Sequence, residues 1–109
     1  MHKISLDALA SRLLERAAGS SAGRSAETVV GGHERTLRQT LIALTAGSSL
    51  AEHPNPGEAT VLVLRGRVRM KAGGDHWDAR TGDALIVPDA VHALEALEDS
   101  AVLLTVAKT

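Results

Sequence analysis

From Glu27 onward no apolar run in this chain goes far before a turn-forming residue interrupts it, and that rhythm restricts the body of the protein to short strands. Residues 27–30, 36–44, 59–64, 68–72, 76–79, 84–87, 93–97 and 102–106 read as strands. Gly47, Pro54-Asn55-Pro56-Gly57, Gly66, Gly73-Gly74-Asp75, Gly82-Asp83, Pro88-Asp89 and Glu98-Asp99-Ser100 punctuate them. Strands this short at such intervals predict an antiparallel sandwich or barrel. Residues 60–64 are apolar or β-branched on both faces, as in a strand buried on both sides. Arg67 and Arg69 alternate with Val68 and Met70, so the next strand has one wet face.

The N-terminal part has a different period. Leu6, Leu9, Ala10, Leu13, Leu14 and Ala17 recur at helical spacing, while Asp7, Arg12, Glu15 and Arg16 take the other face. Ser5 is placed to cap this helix and Gly19 to end it. Its apolar stripe must lie against the outer wall of the β body or against a second subunit. Residues 19–25 are small and polar and read as a linker. The chain thus divides into a helix and linker over 1–26 and a β body over 27–109.

Composition sets the remaining bounds. A chain of 109 residues is one domain. Its apolar fraction of 44% includes no Phe or Tyr and a single Trp, so Val, Leu, Ile and Ala must build the core. A chain this short buries a modest share of its surface, and covering a further apolar face with a second copy would help; a homodimer is expected. The net charge of −1 gives no footprint for nucleic acid or an anionic membrane. The absence of cysteine excludes disulfides, thiol nucleophiles and thiolate metal sites. No apolar run approaches the ~20 residues of a membrane span or the core of a signal peptide, so a soluble cytoplasmic protein is expected.

Two stretches carry chemistry. In the first, five residues separate Gly47 from His53, Asn55 follows, and Gly66 closes the segment. In the second, five residues separate Gly82 from Pro88, and His92 comes shortly after. This pattern resembles the two signature motifs of the cupin superfamily over roughly residues 36–107. The first motif expects a second His where Asn55 stands and a Glu where Ala59 stands, with Glu58 one residue early. The second expects a glycine where Ala90 stands and its His one residue later than His92.

The resemblance implies an all-β double-stranded β-helix, or jelly-roll barrel, with one added N-terminal helix. It also implies a divalent iron, manganese, nickel or zinc ion held at the barrel mouth. His53 and His92 would face each other there, with Asn55 and Glu58 as the remaining candidate donors. Two imidazoles alone make a weak site, and the amide oxygen of Asn55 suits hard cations better than the metals imidazole prefers. Strand alternation turns Glu58 away from the side of Ala59 unless a bulge beside the Pro/Gly turn redirects it.

Two further residues are candidates for substrate contact. Gln39 interrupts a face made by Leu37, Leu41 and Ala43 and is expected to point into the barrel; Arg38 lies on the opposite face as an exposed strand arginine. Trp77 is the sole aromatic side chain able to stack on a ligand, although packing is the commoner role for such a residue. His33 and His76 lie near turns, and Asp83 and Asp89 read as turn formers. No Ser-His-Asp order, P-loop or dinucleotide glycine pattern is present.

Three functions follow. One is a small enzyme with a metal on His53 and His92 plus one further group. Another is a barrel that has lost that metal and binds a small, largely apolar molecule without transforming it; a related metal-free variant would use His53 or His92 as acid–base with Glu58. The third is an oligomerising or regulatory module. Fold alone does not choose among them.

Overall fold

The computed structural model describes residues 2–53 and 57–108. Helix α1 spans Leu6–Ala18 and starts where the sequence puts its cap: the Ser5 hydroxyl accepts the Ala8 N–H at 3.2 Å. The nine strands of the described residues are β1 (Arg24–Val30), β2 (Leu37–Leu44), β3 (Ser49–His53), β4 (Gly57–Arg65), β5 (Arg67–Ala72), β6 (Asp75–Arg80), β7 (Ala84–Ile86), β8 (His92–Ala96) and β9 (Ser100–Lys108). They form two antiparallel sheets, one ordered β1-β2-β9-β4-β7 and the other β3-β8-β5-β6. From β2 to β5 each strand lies in the opposite sheet from its predecessor, and the same holds from β6 to β9. That alternation is the winding of a jelly roll.

Crossing between sheets needs sharp corners, and Gly66 makes the tightest. It is the single residue between β4 and β5, with φ of 82°. A Cβ there would collide with the Asp99 carbonyl oxygen and stand 2.9 Å from the Ser100 Cα. Gly47 and Gly82, which also have positive φ, serve the β2–β3 and β6–β7 crossings. Ser100, fully buried, fastens the corner: its hydroxyl accepts the Arg67 N–H at 3.0 Å and donates toward the Glu98 carbonyl at 2.7 Å.

Two hydrophobic clusters hold the molecule. The first lies between the sheets and includes Ile42, Leu44, Val61, Val63, Met70 and Val102. The second lies between α1 and the outer face of the five-stranded sheet, joining Leu9, Ala10, Leu13 and Ala17 to Leu41, Ala43, Ala101 and Leu103. Of the two surfaces open to the helical stripe, the structure shows the wall of its own sheet.

The structure departs from the sequence reading in two places. Residues 49–53, given no strand in the sequence reading, form β3. Strand β1 begins at Arg24, inside the stretch read as linker. Among the described residues no helix is long and apolar enough to cross a membrane.

Candidate functional site: the inner face around His92

The site begins with the alternation of β8. His92, Leu94 and Ala96 are buried and point between the sheets, while Glu95 faces out toward Lys71, 3.4 Å away. A buried polar side chain must find a hydrogen-bonding partner. Among the described residues His92 and Ser100 are the two buried polar ones, and Ser100 is accounted for by the β4–β5 corner. The His92 Nδ1 lies 3.0 Å from the Ala90 carbonyl oxygen. A carbonyl only accepts, so Nδ1 carries the proton and donates. In the neutral ring the lone pair therefore sits on Nε2.

His92 helps line a narrow space of about 30 Å³, whose other walls include Leu50, Val61, Met70, Leu94 and Leu104. That volume takes roughly one water. An imidazole in otherwise apolar walls can hydrogen-bond, accept a proton or bind a metal. It cannot by itself complete a coordination sphere.

The remaining predicted ligands are arranged differently from expectation. The backbone of His53 is paired directly with that of His92 across β3 and β8, after a register irregularity that follows Leu50. The two are neighbours on adjacent strands of one sheet. They do not face each other across a mouth, because β3 and β8 belong to the same wall. Asn55 and the side chain of His53 lie outside the described part of the structure. Ala59 points inward and is buried, with nothing to donate. Glu58 is exposed on the other face of β4. The β4–β9 register is continuous from Gly57 to Val63, so no bulge there turns the Glu58 carboxylate inward. Among the described residues no three His, Cys, Asp or Glu side chains gather as a metal group would. Among the described residues a set of three His and one Glu is not assembled.

Gln39 calls for a correction. It shares its face of β2 with Leu41 and Ala43, and that face packs against α1 rather than into the sandwich. Its amide Nε2 donates to the Thr105 hydroxyl across the β2–β9 pair at 3.1 Å. Ile42 and Leu44, on the face that Arg38 shares, are the ones that enter the core between the sheets.

Trp77 stands directly opposite Met70 in the β5–β6 pair and is 44% exposed. Together with Met70, Ala84, Leu85, Ile86 and Pro88 it lines an open groove of about 260 Å³ between the edge strands β6 and β7. The sequence reading did not single out Met70 or Ile86. The run Ala84-Leu85-Ile86-Val87 is apolar on both faces, so alternation does not say which side is exposed. The structure leaves Ile86 84% exposed.

On the outer face of the four-stranded sheet, Arg69 and Asp78 form a two-pronged ion pair at 2.7 and 3.0 Å. The hydrogen bond from Arg69 holds the Asp78 carboxyl below the usual carboxylate range, and Asp78 in turn raises Arg69. This pair fastens β5 to β6 and lies away from His92.

Comparison with known proteins decides the family. The cupin domain profile matches residues 40–107, well over half of the chain. The protein belongs to the cupin family. Among solved structures it is similar to a conserved protein of unknown function from Streptococcus pyogenes, at 26% identity and a TM-score of 0.72 over 83% of this chain and 78% of that one. An RmlC-like cupin from Desulfovibrio desulfuricans gives 26% identity and a TM-score of 0.68, covering 77% of this chain and 81% of the other. A cupin superfamily protein from Desulfitobacterium hafniense gives 18% identity and a TM-score of 0.72, covering 79% and 78%; at that identity the likeness concerns fold alone. No curated protein matches the chain. Within this cupin, Gly47, Gly66 and Gly82 keep the places that the family motifs give their glycines, while Ala59 fills the acidic position.

Proposed function

We propose that this cupin binds a small, largely apolar molecule on the inner face around His92, without chemistry that depends on a fully ligated metal. The observation that carries the reading is the wall itself. Among the described residues one inward imidazole, its tautomer set by the Ala90 carbonyl, stands among apolar side chains where the family's acidic position is an alanine. Such a lining favours apolar burial with one polar contact, the usual composition of a small-molecule site. The 30 Å³ space is too small for more than water, so the ligand reaches His92 by displacing side chains at its boundary.

The test is to denature freshly purified, untagged protein and identify released small molecules by mass spectrometry, with His92→Ala prepared in parallel. A compound released near one per chain from the native sequence and lost in the folded variant supports the reading. Equal release from both would count against it.

A second reading places a divalent iron, manganese, nickel or zinc ion on His53 and His92. Its support is the His92 Nδ1 hydrogen bond, which leaves Nε2 as the coordinating nitrogen, an arrangement typical of metal-bound imidazoles. The direct β3–β8 pairing of the two backbones adds to it. Elemental analysis after incubation with each metal separates the two: a metal near one per chain that is lost in His53→Ala and His92→Ala would establish the second.

A further inference from the structure

The narrow space at His92 and the groove at Trp77 share one lining side chain. Met70 lines both. Methionine is the residue best suited to such a place, because three rotatable bonds and an unbranched thioether let it change shape at little cost. On one side of it lie about 30 Å³ walled in part by His92; on the other lie about 260 Å³ open to solvent between β6 and β7. The groove is just below the range of drug-sized sites, which suits a molecule of one or two fused rings.

We infer that the ligand site of this cupin is a two-chamber one, entered through the β6–β7 groove: a flat apolar ring stacks on Trp77, and rotation of Met70 admits its polar end to the wall that His92 lines. This rests on the small-molecule reading above and adds to it a route, a gate and a ligand shape. The lining supports each part. Trp77 is half-exposed on the inner face of β6 directly opposite Met70, so its ring lies at the entrance and offers a stacking surface. Leu85, Ile86 and Pro88 supply the opposite apolar wall, and the groove carries no charged side chain among the described residues. The far chamber offers one polar side chain among its described walls, which selects a ligand with one polar substituent.

The chain makes this testable without knowing the natural ligand. It has one Trp, and its two methionines are Met1 and Met70. Protein labelled with ¹⁵N and with ¹³C at the methionine methyls is titrated with unlabelled 2-naphthol, a flat apolar ring system carrying one hydroxyl. The inference predicts that the Trp77 indole N–H, the Met70 methyl and the His92 ring shift together with one saturating dissociation constant. The Met70 methyl carbon, whose shift reports its rotamer, should move most. Trp77→Ala, at a half-exposed position, should fold and weaken binding about five- to tenfold, the worth of an aromatic stacking contact.

A shift of Trp77 alone would make the groove a surface depression and overturn the inference. Saturating shifts of Met70 and His92 with Trp77 unmoved would overturn the route while leaving the small-molecule reading in place. No saturable shift of any of the three would overturn the two-chamber site; the release experiment on native protein would then judge the broader reading by itself.

Discussion

Gly66 and Ser100 show how a single position fixes a jelly-roll corner. Replacing Gly66 with Ala forces a side chain into a left-handed conformation and against the backbone at Asp99 and Ser100. Backbone cannot swing aside as a flexible side chain can. The expected cost is roughly 1–3 kcal/mol or more, read as a lowered midpoint in chemical denaturation. Ser100→Ala should cost about 1 kcal/mol by leaving the partly buried Arg67 N–H without its acceptor. Asp78 behaves differently. Its carboxyl titrates low because Arg69 bonds the ionised form, so its contribution is present above the ordinary carboxylate range and lost as pH falls through its depressed value. Carbon-detected titration should place Asp78 below the other aspartates, and added salt should weaken the effect because the pair is exposed. An Asp78 midpoint within the ordinary range would refute the pairing.

Among the elements, α1 is held more by its buried stripe than by its cap. Ser5→Ala should cost about 1 kcal/mol. Leu13→Ala, at a fully buried position against the five-stranded sheet, should cost roughly 2–5 kcal/mol. Equal losses from the two in denaturant titrations would contradict this ranking. The helix was legible in the sequence because period, cap and terminating glycine agreed. Strand β3 was not: Ser49-Leu50-Ala51-Glu52-His53 contains no β-branched or large aromatic residue, so only its place between two sheet crossings makes it a strand. The inner face of β2 was misread for another reason. Leu41 and Ala43 bury against α1, while Ile42 and Leu44 bury between the sheets. With apolar residues on both sides, alternation reports two buried faces and not which one is inside.

At the scale of the whole molecule, turn spacing was enough to foresee an antiparallel sandwich or barrel, and the resemblance to the cupin motifs implied its jelly-roll winding. The site was less legible. His92 could be placed inward because Leu94 and Ala96 share its phase. The adjacency of the His53 and His92 backbones and the sharing of Met70 between two chambers depend on which strands pair, and pairing between distant segments is not written in local pattern. Among the described residues, the interior of this cupin sets apolar side chains around the His92 imidazole. Native mass spectrometry of untagged protein, isolated without chelator, tests that claim most directly because one spectrum distinguishes an organic ligand from a metal. The account predicts folded chains carrying an organic mass that disappears in His92→Ala, with no stoichiometric transition metal. Folded chains that each carry one metal ion, lost in His53→Ala and in His92→Ala, would contradict it.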